Sequence, residues 1–111
     1  MQALHKLNCK HYNSDDPKLT DIEINDLLKD INWDFNKAQQ TITKIFKFKN
    51  YIETIAFVNA VSEIVNQQDH HPTITITYNT CLINFTTHSI NAISMNDFIC
   101  AAKINKLISH G

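Results

Sequence analysis

Two adjacent histidines, His70 and His71, and a third at His88 are the residues of this chain best suited to moving protons. An unperturbed imidazole titrates at about pH 6.5, so it gives and takes protons near neutrality without special tuning. Where two or three imidazoles share a site, like charges oppose full protonation. One then stays neutral as a base while another stays charged as an acid, which suits general acid-base catalysis. Plainer roles compete. Adjacent histidines before a proline can be solvated loop residues, and His88 can be a strand-end histidine bonded to a threonine. Three histidines could also hold a metal, although no carboxylate or cysteine stands at ligand spacing beside them. Cys9 and His11, one residue apart, are a weaker candidate metal pair. His5, His11 and His110 lie near the termini, where a solvated role is expected.

The elements that must position these groups begin with a hairpin. Thr73-Ile74-Thr75-Ile76-Thr77-Tyr78 alternates polar and apolar residues with β-branched side chains, the signature of a half-buried strand. Cys81 to His88 reads as its partner. A turn at Asn79-Thr80 would pair Ile74 with Phe85, Ile76 with Ile83 and Tyr78 with Cys81 on an apolar face. It would pair Thr73 with Thr86, Thr75 with Asn84 and Thr77 with Leu82 on the other face. The same register sets His71 opposite His88 on the side turned away from the core, and a slip of one residue would turn one of them over. His71 precedes Pro72, which biases it to an extended backbone at the mouth of the strand. His70 would point the opposite way in a regular strand. Both reach one cleft only if the helix-to-strand turn is irregular, and a helix C-terminus there would favour their protonated forms.

Residues 1–18 carry little periodicity and read as an irregular lead-in to a single domain over residues 19–111. Thr20 and Glu23 form a capping box, with Leu19 stapling onto Ile24, for a helix whose Ile24, Leu27, Leu28 and Ile31 share a face and which ends near Asp30 or Ile31. Trp33 and Phe35 alternate with polar neighbours in one short strand; Ile42, Phe46 and Phe48 do so in a second, where Lys44 falls on the apolar side. From Tyr51 to about Gln68 the helical period returns with an apolar arc broad enough for burial from two directions. Ser94 and Asp97 cap a last helix with Phe98, Cys100, Ala101, Ile104, Leu107 and Ile108 on its buried side. The order α-β-β-α-β-β-α predicts an α+β domain, a four-stranded antiparallel sheet with three helices packed on one face.

Composition narrows the function classes. With 111 residues and 43% hydrophobic content the chain supports one real core. A formal charge of −1, with ten scattered lysines and no arginine, argues against nucleic acid as a partner. The only glycine is Gly111, so neither a phosphate-cradling loop nor a dinucleotide-binding turn can be built in the usual way. Three cysteines, at 9, 81 and 100, are an odd number without metal-type spacing and point to a reducing compartment. No apolar run reaches membrane-spanning length and the start lacks a basic-then-apolar pattern, so the expected location is cytoplasmic, with no membrane partner.

Asp69-His70-His71-Pro72, Tyr78 six residues after the proline, the Thr87-His88 pair and Asp97 nine residues beyond resemble the signature of the pterin-4a-carbinolamine dehydratases. Leu19-Thr20, Trp33, the Phe46-Lys47-Phe48-Lys49 strand and Phe57 fit as well, so the resemblance covers roughly residues 18–108. It implies dehydration of a 4a-hydroxytetrahydropterin to the quinonoid dihydropterin, recycling the cofactor of aromatic amino-acid hydroxylases, with no metal and no cofactor of its own. It implies His70, His71 and His88 as catalytic residues, without assigning acid and base. Asp69, Pro72, Asn66, Tyr78 and Asp97 would bind substrate or support the site, Asp97 by orienting or capping. By the residues alone, Asp97 is already explained by the helix N-terminus, and Trp33 as a core or interface aromatic. The resemblance also implies a homodimer or homotetramer, a pterin as ligand and an aromatic hydroxylase as pathway partner. Its rival implication is a binding or assembly module with a vestigial pterin site. The chain departs from the family's pattern at Asn66, where a glutamate is common, at Ile74, where an aromatic often stands, and at Tyr12, where bacterial relatives often complete a Cys-x-x-Cys with Cys9.

Overall fold

Each helix begins where a short polar side chain can take up an orphan backbone N–H. Thr20 Oγ1 accepts from the Glu23 amide at 3.2 Å while Glu23 Oε1 accepts from the Thr20 amide at 2.9 Å, closing the expected capping box. Asn50 accepts from the Glu53 amide at 2.9 Å at the second helix, and Ser94 with Asp97 opens the third. The structure, a computed structural model, describes residues 3–108, so His110 and Gly111 lie outside the described residues. Its elements are α1 (Asp21–Ile31), β1 (Asp34–Asn36), β2 (Thr41–Lys47), α2 (Tyr51–Gln68), β3 (Thr73–Ile76), β4 (Thr80–Phe85) and α3 (Met95–Asn105), with 3-10 turns at Leu4–Lys6 and His88–Ile90. Without an internal glycine, the left-handed residues that end α1 and α2 are Asn32 and Asp69, whose short polar side chains tolerate that backbone.

The strands form one antiparallel sheet in the order β1-β2-β4-β3. Alternation sorts its faces. Ile42 and Phe46 of β2 and Cys81, Ile83 and Phe85 of β4 turn inward against Phe57, Val61 and Val65 of α2 and Phe98, Ala101 and Ile104 of α3. Trp33 belongs to this core, its ring 6.0 Å from Phe46 and 5.8 Å from Phe85, and its Nε1 donates to Asn105 Oδ1 at 2.9 Å. Lys44 lays its stem along the same side and donates from Nζ to the Asn32 carbonyl at 3.1 Å, so a charged residue on the apolar face reaches a partner at its edge. On α2 the buried residues are Thr54, Phe57, Val61 and Val65, whereas Ile52 in its first turn is 81% exposed.

The hairpin differs from its expected register. Thr73 pairs with Asn84, Ile74 with Ile83, Thr75 with Leu82 and Ile76 with Cys81, so the turn centres on Tyr78-Asn79, one residue earlier than Asn79-Thr80. Neither turn residue has a positive φ, and the tip is instead tied from outside. The Phe48 amide donates to the Asn79 carbonyl at 2.8 Å, and Thr54 Oγ1 on α2 lies 3.1 Å from the Tyr78 carbonyl. Moving the turn by one residue moves each partner by two, which keeps the alternation and hence both faces. Tyr78 is thereby lifted off the apolar face into the exposed tip. Because Thr54 is fully buried and its hydroxyl serves this tether and the Asn50 carbonyl, Thr54→Val is expected to destabilise the protein by about 1–2 kcal/mol. Urea unfolding checks this, and an unchanged midpoint would remove the tether from the account.

Candidate active site

His70 owes its position to the way α2 ends. The Asp69 amide donates to the Asn66 carbonyl at 3.3 Å and the His70 amide to the Val65 carbonyl at 3.1 Å, the paired bonds of a Schellman motif about the left-handed Asp69. The chain therefore reverses direction between Asp69 and Pro72 without forming strand or helix. That irregular turn lets two neighbouring imidazoles face the same space. His70, His71 and His88 all line one cavity of about 520 Å³. His71 and His88 also border an adjoining cavity of about 420 Å³ over the polar face of the sheet, floored by Thr41, Thr73, Asn84 and Thr86.

The expected cross-strand pairing of His71 with His88 is not what unites them. β4 ends at Phe85, Thr87 bridges to Ala92, and His88 opens the 3-10 turn that follows. The slipped register, continued past the strands, would set His71 level with Thr86. Both imidazoles lie outside the strands, are exposed, and border the same two cavities.

His70 is the imidazole held most firmly. Its ring stacks on Phe85 with centroids 5.7 Å apart and planes within 5°, and its Nε2 lies 2.6 Å from Asp97 Oδ1. Asp97 is fully buried, and its other oxygen accepts from Thr87 Oγ1 and from the Ser94 amide, each at 2.8 Å. Thr87 Oγ1 is in turn 2.7 Å from Ser94 Oγ, which accepts from the Asn96 amide at 3.1 Å. The residue that caps α3 is thus also the carboxylate that orients His70, and every bond on it comes from a donor. Burial opposes the charge on His70 and is the largest single influence. The hydrogen bond and negative charge of Asp97, aided by Cys9 and Asp69, outweigh it and hold the imidazole above its usual value. With Nε2–H given to Asp97, Nδ1 is the nitrogen left to exchange a proton with a ligand.

Of the remaining residues singled out in the sequence, Asp69 lines the larger cavity and Pro72 carries the chain from it into β3. Asn66 and Tyr78 line neither cavity. Asn66 lies exposed on α2, its carbonyl taking the Asp69 amide, and Tyr78 sits at the hairpin tip, at the far end of β3 from His71. Ile74 packs against the core and lines neither cavity. Thr87 stood in the sequence only as one half of the Thr87-His88 pair; its hydrogen bond to Asp97 was not anticipated. Residues 9–12, read in the sequence as part of an irregular lead-in, form part of the larger cavity's lining. Within that lining Cys9 Sγ lies 3.6 Å from Cys100 Sγ. Among the described residues no group of three His, Cys, Asp or Glu is placed to hold a metal ion. The arrangement can present a charged, oriented imidazole and two more imidazoles to one small ligand.

The sequence model of the family described as Pterin 4 alpha carbinolamine dehydratase matches residues 17–107. A relative from Nitrosospira multiformis, provisionally named a pterin-4-alpha-carbinolamine dehydratase, is 48% identical over 99 residues, covering 89% of this chain and 87% of its own. One from Xanthomonas campestris with the same provisional name is 36% identical and covers 97% of this chain and 92% of its own. Among solved structures, a transcriptional coactivator/pterin dehydratase from Brucella melitensis superposes with a TM-score of 0.78 at 29% identity, over 82% of this chain and 98% of that one. A pterin dehydratase-like protein described as a RuBisCO assembly factor in the alpha-carboxysome shares the fold, with a TM-score of 0.62 at 20% identity over 71% of this chain and 92% of that one.

Proposed function

The chain belongs to the pterin-4a-carbinolamine dehydratase family, and on that premise we propose that it removes water from a 4a-hydroxytetrahydropterin to give the quinonoid dihydropterin. The observation that carries the reading is the buried Asp97 carboxylate bound to His70 in a cavity shared with His71 and His88. In the reaction the carbon–oxygen bond at the 4a position breaks, the adjacent ring nitrogen forms a double bond to that carbon, and a ring proton leaves. The departing hydroxyl needs an acid. His70, kept charged by Asp97, supplies its Nδ1 proton, and water departs. His71 or His88, on the more open side of the cavity, accepts the ring proton. Asp97 touches no reacting atom and acts as a positioning residue. The product is the form whose reduction restores the cofactor of aromatic amino-acid hydroxylases, so such a hydroxylase is the pathway partner this reading implies.

The test supplies purified protein with freshly generated 4a-hydroxytetrahydropterin and follows dehydration by ultraviolet absorbance, against a blank that measures the unaided reaction. His71→Ala is expected to lower turnover on the order of a hundredfold if His71 transfers a proton. A near-normal rate would remove it from the mechanism. Absence of acceleration by the unaltered protein would leave the family's fold without its chemistry and turn the search to protein partners.

A further inference from the structure

We propose that residues Asn8–Tyr12, upstream of the segment matched by the family, form a strap that walls the catalytic cavity and positions the bound pterin. The proposal rests on the dehydratase reading for the identity of the ligand. Its structural basis is a two-ended clamp. At one end Gln68, two residues before His70, accepts from the Cys9 amide at 2.7 Å and donates from Nε2 to Asn8 Oδ1 at 3.1 Å. In the middle Asn96, beside Asp97, takes the Lys10 amide at 3.0 Å and gives its Nδ2 to the Lys10 carbonyl at 2.6 Å, a pairing that fixes both backbone groups of one residue. At the other end Tyr12 is buried in a small cluster with Ile90 and Ala92, on the turn that opens with His88. Cys9 adds its contact with Cys100, the two Sγ atoms 3.6 Å apart, and that thiol–thiol hydrogen bond is the largest influence holding Cys9 below its usual value.

An irregular peptide spends conformational entropy to lie still, and here it does so against the residues flanking His70, His88 and Asp97. The clamp leaves Cys9, Lys10, His11 and Tyr12 along one side of the cavity that contains the three histidines. Since the strap carries neither the acid nor the carboxylate that orients it, its contribution falls on substrate binding. Loss of its anchor should raise KM and leave the chemical step nearly intact, whereas a merely stabilising tail would move neither.

Tyr12→Ala in the full chain removes the anchor, and Tyr12→Phe retains the ring that packs on Ile90 and Ala92. Tyr12→Ala is expected to raise KM about tenfold with kcat within about twofold, and Tyr12→Phe to restore both. Trypsin reads the strap independently: cleavage after Lys10 should slow when a dihydropterin is added, while cleavage after the exposed Lys6 does not. In Tyr12→Ala that protection should vanish. If Tyr12→Ala does not fold, Gln68→Ala, which releases Asn8 and Cys9, is read by the same two measurements. Unchanged KM together with cleavage at Lys10 that is indifferent to dihydropterin overturns the strap. An unaltered protein that fails to catalyse yet gains protection at Lys10 refutes the dehydratase step and keeps the strap as the wall of a pterin-binding site. Failure of both refutes both.

Discussion

His70→Ala is expected to lower kcat about a thousandfold, within the range that loss of a positioned proton donor commonly costs. The effect should exceed that of His71→Ala, because two imidazoles remain on the open side of the cavity and neither is oriented by a buried carboxylate. The pH dependence makes the assignment testable without deleting the group. An acid catalyst must be protonated, so kcat falls as pH rises through its pKa. Asp97 holds His70 above its usual value, which places the descending limb above about pH 6.5. In Asp97→Asn the charge and the charge-assisted bond are gone, and burial, the largest influence on His70, then acts against the imidazolium with little opposition. The limb should move to lower pH, below about 6.5. A descending limb at the same pH in both proteins would show that His70 is not the acid.

Much of the fold was legible because its signals are local. The capping pairs Thr20/Glu23 and Ser94/Asp97 locate two helix starts by hydrogen-bond chemistry alone, and period-2 alternation in β2, β3 and β4 sorts the sheet's faces. The three histidines were legible as candidates by residue type, but the turns that bring them to one cavity, at the end of α2 and after β4, lie outside the strands to which parity applies. The register itself was not legible. It is fixed by Phe48 and Thr54 reaching the hairpin tip from β2's end and from α2, contacts that no reading of residues 73–88 contains. Asp97 shows the limit of a local explanation. As a helix cap it needed no further role, yet the fold brings α2's end to α3's start and puts that one carboxylate under His70. The lead-in was opaque for a related reason. Its order comes from Gln68 and Asn96, about 59 and 86 residues away along the chain, so residues 8–12 carry no periodicity to betray it.

Asp97→Ala is expected to cost about 3–5 kcal/mol of folding stability, the penalty typical of removing one partner from a buried ion pair. Three donors converge on the lost carboxylate: His70 Nε2, Thr87 Oγ1 and the Ser94 amide. All three would remain in a space that admits little water, and an amide without its acceptor at a helix start loses the cap as well. Asp97→Asn keeps the shape and one acceptor and should cost less, so the difference between the two variants isolates the orphaned donors from the lost charge. The charge component must vary with pH in one direction. His70 has its pKa raised on folding, so its ion pair with Asp97 stabilises fully below the unfolded value of about 6.5 and loses that stabilisation as pH rises through the folded value. The gap between the unaltered protein and Asp97→Asn in urea unfolding is therefore expected to be wider at about pH 6 than at about pH 9. It should not close entirely, since neutral His70 still donates from Nε2. A gap that stayed constant, or widened toward high pH, would mean that Asp97 holds a neutral imidazole throughout. It would then also withdraw His70 as a ready-charged acid, which joins the stability of this corner of the fold to the chemistry proposed for it.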